Sequence, residues 1–159
     1  DKIIEMIHLN ETLYCGSIAC ATEGKREEPG TYMVNTLLAN VHKQNITRFP
    51  YEIARLAQDI AGGALVTLPS ADDLNHPEAG KWIKKYFKAK SDIPTEHRIR
   101  ILRLIENITM GTAAVGYLTE SMHGAGSPQA QRIMIARESN VKEKQKTAQR
   151  LAQVISSDE

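Results

Sequence analysis

The sequence predicts an all-α protein, an antiparallel helix bundle, and three observations lead there. Apolar residues recur at three- and four-residue steps along most of the 159 residues, the spacing that lines one face of a helix. No stretch alternates apolar and polar side chains for long enough to claim a strand. The breaks between periodic segments are marked by Gly and Pro, as helix ends are.

Residues 2–23 carry Ile3, Ile4, Ile7, Leu13, Tyr14, Ile18 and Ala19 at helical steps. The run Lys25-Arg26-Glu27-Glu28-Pro29-Gly30 interrupts them with charge, Pro and Gly. A second helix is expected from about Thr31, with Met33, Leu37, Leu38 and Val41 on one face. Pro50 suits a first helical turn, so a third helix runs over 51–61 and stops at Gly62-Gly63. The short apolar stretch Ala64–Ser70 reads as a buried connector rather than a helix, and Ser70 with Asp73 has the spacing of a capping pair.

A helix is expected over about 77–88, with a break at Lys90-Ser91-Asp92-Ile93-Pro94. Residues 95–122 form the longest periodic segment, a central rod whose seam is Ile101, Ile105, Ile108, Thr112, Val115 and Met122. Gly124 and Gly126 stop the rod, and Ser127-Pro128 reads as an N-cap followed by a first-turn proline. A helix through Gln131, Ile133, Met134 and Ile135 follows, then an amphipathic one over 141–155, with 156–159 expected to fray. Residues 1–159 read as a single domain.

Composition narrows the function classes. The net charge of +1 supplies no field to recruit nucleic acid or a membrane surface, and 5 % aromatic residues do not make a base-stacking platform. No signal peptide and no membrane-length apolar run is present, so the expected location is cytoplasmic. Cys15 and Cys20, five residues apart on a helix, face different sides, which suits neither a disulfide nor a shared metal. Two small buried thiols in a reducing compartment are expected. The basic run Lys81, Lys84, Lys85, Lys88 and Lys90 reads as a solvated helix face, and Arg98, Arg100 and Arg103 as exposed helix charges.

Two places depart from what a plain bundle needs. In Gln58-Asp59-Ile60-Ala61-Gly62-Gly63-Ala64, paired glycines permit positive φ and let a ligand approach the backbone. By spacing alone, a helix stop followed by a tight turn explains the pair better. The second place is Thr119 through Gln129. Glu120 is the first carboxylate after the uncharged run Asn107–Thr119, and His123 follows three residues later on the same helical face. A carboxylate so placed has a route to a raised pKa suited to proton transfer, while Gly124, Ala125 and Gly126 bring backbone N–H groups within reach of an oxygen ligand. An ordinary helix-end pair of Glu120 and His123 accounts for the spacing equally well.

Longer stretches carry a resemblance. Gly30–Val41, Arg48-Phe49-Pro50-Tyr51-Glu52-Ile53, Asp59–Gly63 and above all Thr119–Arg132 are similar to the 4-hydroxybutyryl-CoA dehydratase / vinylacetyl-CoA isomerase family. That family sits in the wider 4-hydroxyphenylacetate 3-hydroxylase group, which shares the acyl-CoA dehydrogenase architecture. The resemblance implies a C-terminal helical bundle of a longer parent, tetrameric, with FAD and a [4Fe-4S] cluster, acting on acyl-CoA substrates in 4-aminobutyrate fermentation. It implies that the cluster ligands, three Cys and one His, lie in the parent's other domains. No metal is expected on this chain, and the chain alone is expected to be inactive. In that scheme a base removes the substrate's C2 proton, the flavin takes part in a radical step, and the cluster acts as Lewis acid at the leaving hydroxyl.

Residue by residue, the resemblance makes Glu120 the active-site carboxylate and places Ala125 in the same turn. It turns Gly62 and Gly63 from a helix stop into the glycine pair that meets the ADP half of FAD bound by a neighbouring subunit. Gln58, Ala64, His123, Gly124 and Gly126 are carried as cofactor-binding neighbours of those motifs. Two other readings stay open: a non-catalytic helical oligomerisation module, and the C-terminal domain of a flavin-dependent aromatic hydroxylase.

Overall fold

A computed structural model of the chain describes residues 1–28 and 30–154. Helices dominate, and a two-stranded hairpin is the only β structure among the described residues. Backbone contacts group the chain into two compact units. One comprises Asp1–His8 with Phe49–Ser121; the other comprises Leu9–Arg48 with the described residues from Met122 onward.

The first unit is built on α3 (Phe49–Ala61) and α6 (Thr95–Thr109), which pack on each other. Pro50 sits in the opening turn of α3 as expected. Ala54, Leu56 and Ala57 are buried on α3, and Ile99 and Leu102 on α6. The start of α1 (Lys2–Thr22) is tied to α3 by an ion pair, Lys2 Nζ to Asp59 Oδ2 at 2.8 Å. Asp59, in the stretch singled out from the sequence, is thereby engaged, and the hydrogen bond from Lys2 holds its carboxyl below the usual range.

Residues Gly62–Thr67 form a 3₁₀ helix, not an irregular connector, and the expected burial is confined to Leu65; Val66 is 74 % exposed. Gly62 takes φ +64°, which ends α3 in the left-handed region. Then α4 (Ala71–Asn75) begins at Ser70, whose hydroxyl and the Asp73 carboxylate cap reciprocally as the spacing requires. The next helix, α5 (Gly80–Tyr86), is shorter than expected at both ends. A Cβ on Gly80 would lie 2.5 Å from the Leu74 carbonyl oxygen, so close packing on α4 fixes where α5 enters. Of the arginines expected to be free surface charges, two are committed. Arg98 donates to the Phe87 carbonyl at 2.6 Å, and Arg103 to the Pro69 carbonyl at 3.1 Å and to Glu106.

The central rod does not run unbroken to Met122. The helix α6 ends at Thr109, whose hydroxyl bonds back to the Ile105 carbonyl at 2.7 Å. Met110 leaves helical geometry at φ −136°, and the Met110 and Gly111 N–H groups both fall on the Glu106 carbonyl. Gly111 gives room there, since a Cβ would lie 3.2 Å from the Asn107 Cα, tighter than ordinary van der Waals contact. The chain then resumes as a π-helical turn, Val115–Glu120, and continues into α7 (Ser121–Ala125).

The second unit rests on α2 (Thr36–Ile46) packed against α8 (Pro128–Glu138). The helix α2 begins later than the sequence suggests. Tyr32-Met33 (β2) is extended and pairs antiparallel with Lys25-Arg26 (β1), and the Tyr32 hydroxyl donates to the Ala21 carbonyl at 2.7 Å. Asn35 then caps α2, its side chain accepting from the Leu38 N–H at 3.0 Å. Ser127 and Pro128 start α8 as the sequence predicts. The last helix, α9 (Val141–Leu151), ends short of Ile155, which lies outside the described residues, as does the expected frayed end 156–159.

The expected burial of the two thiols does not hold: Cys15 is exposed and Cys20 half-buried. The cause is the partnering of α1, where Leu9 is the only buried residue. Ile3, Ile7, Tyr14 and Ile18, on one helical face, are all exposed in this chain.

Candidate functional site

In the first unit, α3 packs against the π-helical turn, so the helix that leads into Gly62-Gly63 and the turn that ends in Glu120 are neighbours. A π-helix is rare, and where one occurs it often marks a functional segment, because the extra residue per turn has a cost that packing or function must offset. Glu120 closes this turn and is exposed. Its carboxylate leans over the glycine one turn back: a Cβ on Gly116 would stand 3.6 Å from Glu120 Oε2. The Ser121 hydroxyl donates to the Gly116 carbonyl at 3.3 Å, satisfying an acceptor that the widened turn loosens.

Gly62 and Gly63 are both exposed, and among the described residues no heavy atom beyond the adjoining backbone lies within 4 Å of a Cβ built on either. Gly62 needs its glycine for φ +64°, whereas Gly63 is outside the left-handed region and has no such need. The backbone at Gly63 is therefore exposed, and neither its φ nor a close neighbour among the described residues requires a glycine there. That arrangement suits close backbone approach by a phosphate or ribose group, as the flavin expectation requires. Gln58 is used differently: its Nε2 donates to the Thr109 carbonyl at 3.3 Å, meeting an acceptor freed where α6 stops. Ala64 follows the glycines in the 3₁₀ helix and is half-buried.

In the second unit His123 and Gly124 are exposed, Ala125 is half-buried, and Gly126 turns the chain at φ +90°. Among the described residues, a Cβ placed on Gly124 or on Gly126 would meet no heavy atom beyond the adjoining backbone within 4 Å, so this turn too is open on its outer side. Its inner side is held. Gln131, 3 % exposed, donates from Nε2 to the Ala125 carbonyl at 2.8 Å and to the Gly126 carbonyl at 3.1 Å. In the sequence Gln131 stands out only as a member of a helix; a polar residue beside Ile133 and Ile135 gives no sign of burial.

Clefts open on the first unit. One, of about 610 Å³, is lined by Leu74, Lys84, Glu96, Ile99, Arg100 and Arg103. Another, of about 370 Å³ and mostly apolar, includes Ile60, Ala61, His97, Arg98 and Ile101 and so adjoins Gly62 in sequence. Glu120 lines neither. Among the described residues, no group of three or more His, Cys, Asp or Glu side chains is arranged to hold a metal ion. No described helix is long and apolar enough to cross a membrane.

Comparison with known proteins adds to this geometry. Residues 1–153 match the family model described as 4-hydroxyphenylacetate 3-hydroxylase C terminal. The chain is 56 % identical, over 96 % of its length, to 4-hydroxybutyryl-CoA dehydratase/vinylacetyl-CoA-Δ-isomerase of Clostridium aminobutyricum. Its structure superposes on an oxygen-tolerant archaeal 4-hydroxybutyryl-CoA dehydratase from N. maritimus with a TM-score of 0.88, at 57 % identity over the whole chain. The oxygenase component of 4-hydroxyphenylacetate 3-monooxygenase shares the fold over 95 % of the chain, with a TM-score of 0.78 at 18 % identity. The chain spans 33 % of the length of the clostridial relative, and 32 % of each of these two solved chains.

Proposed function

Since the chain belongs to the 4-hydroxyphenylacetate 3-hydroxylase C-terminal family, we propose that it is the C-terminal helical part of a 4-hydroxybutyryl-CoA dehydratase / vinylacetyl-CoA isomerase. The dehydratase branch is favoured over the aromatic hydroxylase branch by identity, 56–57 % against 18 %. The observation that carries the mechanistic part is Glu120, exposed on this chain at the end of a π-helical turn that packs next to the helix leading into the bare glycine pair. The remaining domains of a tetrameric, cytoplasmic parent would close that surface. The exposed face of α1 is then another contact surface in the assembly.

In this reading the Glu120 carboxylate takes a proton from C2 of an acyl-CoA thioester and returns it at the far end of the allylic system. The turn at His123–Gly126 borders the substrate, and Gly62, Gly63 and Ala64 meet the ADP half of FAD with their backbone. Gln58 supports that edge from behind, through the Thr109 carbonyl. A bound flavin would supply the electron chemistry. A [4Fe-4S] cluster in the parent would take its ligands from the other domains, with Cys15 and Cys20 playing no part in holding it. By itself, with one carboxylate and half a flavin site, the chain is proposed to be inactive.

The test is Glu120→Gln in the full-length parent, assayed for conversion of vinylacetyl-CoA to crotonyl-CoA. Loss of a general base costs about 10²–10⁴ in rate. Glu120→Asp, with the carboxylate drawn back by about 1 Å, should fall about 10²-fold. A Gln variant that isomerises at about the wild-type rate removes Glu120 from the chemistry.

A further inference from the structure

The glycine turn after Glu120 raises a question that its own sequence does not answer: what keeps a stretch with Gly124 and Gly126, open on its outer side, in one conformation? Within the second unit the answer is a single side chain. Gln131 is nearly inaccessible, and its one amide nitrogen serves both inner carbonyls of the turn, Ala125 and Gly126. The amide orientation is fixed by this pattern, because the flipped form would set an oxygen against two carbonyl oxygens. A backbone bond from the Gly126 N–H to the His123 carbonyl at 3.1 Å completes the loop.

The other end of that amide is the informative part. Gln131 Oε1 is buried and has no hydrogen-bond partner among the described residues. A bare buried acceptor costs roughly what a pair of hydrogen bonds returns, so the amide adds little net stability. An apolar side chain of the same length would fill the same buried space on α8 at little cost in packing. A polar group kept at such a place acts on geometry, not on stability. Holding the two carbonyls inward also fixes the planes of the two peptides they belong to, since each peptide is a rigid unit.

We propose that Gln131 is the positioning residue of the active-site turn. It holds the 123–126 backbone in the form that the bound substrate meets, without touching substrate itself. This rests on the reading of the turn as part of a dehydratase/isomerase site, and the experiment separates the two.

The full-length parent carrying Gln131→Met is compared with wild type, with Gln131→Asn, and with Gln44→Met. Asn keeps the amide on a shorter stem. Gln44 is a half-buried glutamine of α2 whose Oε1 also lacks a partner among the described residues and whose Nε2 bonds to Thr47, so its loss tests general loosening without removing a hydrogen bond to the turn. Backbone amide exchange over residues 122–127 should rise about tenfold in the Met variant, with melting temperature unchanged or raised. Its kcat should fall by about tenfold or more with KM within about twofold, Asn should recover part of that loss, and Gln44→Met should leave kcat alone. Unchanged exchange across the turn, a Met variant as active as wild type, or a Met variant more active than Asn would each overturn the proposal. So would an equal loss of kcat in Gln44→Met. Should the wild-type parent not isomerise vinylacetyl-CoA at all, the functional reading fails, while the exchange measurement still decides whether Gln131 holds the turn.

Discussion

Gly63→Ala separates a glycine kept for the fold from one kept for a ligand. Among the described residues no heavy atom beyond the adjoining backbone lies within 4 Å of the new methyl group, and the backbone is outside the left-handed region. The folded chain therefore accepts alanine without strain, and the unfolded chain loses freedom, a gain of about 0.4–1 kcal/mol. Gly62→Ala is the contrast: φ is +64°, so a Cβ there costs about 1–2 kcal/mol with no clash to blame. If the ADP half of a flavin rests on this backbone, the Gly63 methyl stands in its way, and affinity should fall about tenfold, near 1.4 kcal/mol. Titrating flavin into the flavin-free parent gives the affinity, and thermal melting of the same flavin-free samples gives the stability. Opposite movement of the two, tighter folding with weaker flavin, is the expected result. Unchanged flavin affinity in Gly63→Ala would refute the reasoning, and a lower melting point would show that the glycine serves the chain's own packing.

Two further predictions concern the second unit. Gly16→Ala should destabilise by about 1–2 kcal/mol net of the usual helix gain, because the new Cβ would meet His42 Nδ1 at 2.6 Å and Cγ at 3.2 Å; chemical denaturation measures this. His42 also sets a pH dependence, since burial lowers its pKa from 6.5 and Nδ1 has no partner among the described residues. The folded state prefers the neutral ring, so His42's contribution is complete above 6.5 and declines as pH falls through the folded value; a denaturation series between about pH 5 and 8 should show it, and His42→Leu should flatten that decline.

The elements legible from sequence are those set by neighbours in sequence. Pro50, the Ser70–Asp73 pair and Ser127-Pro128 each act within one turn, and each helix starts where they say. The break after Thr109 is hidden because Ile108, Thr112 and Val115 continue the apolar seam through it. What completes the break includes a donor 51 residues away, Gln58. The late start of α2 depends on the Tyr32 hydroxyl finding the Ala21 carbonyl across a hairpin, which periodicity does not register. Exposure of Cys15 reflects how many sides of α1 are covered, a property of partners and not of α1. At the candidate site, spacing makes the glycine turns and Glu120 stand out from an apolar helix but leaves a plain helix stop and an ordinary helix-end pair as good or better accounts; only the family resemblance assigns them roles. The clamp by Gln131 stays invisible because a glutamine on a helix reads as a solvent-facing residue until its burial is seen.

The central claim is that Glu120 moves the C2 proton of an acyl-CoA thioester, and hydrogen exchange at that carbon tests it most directly. In deuterated buffer the full-length parent should place deuterium at C2 of the substrate, and Glu120→Gln, with its fold and flavin content intact, should lose that exchange. Undiminished exchange in the Gln variant would contradict the account.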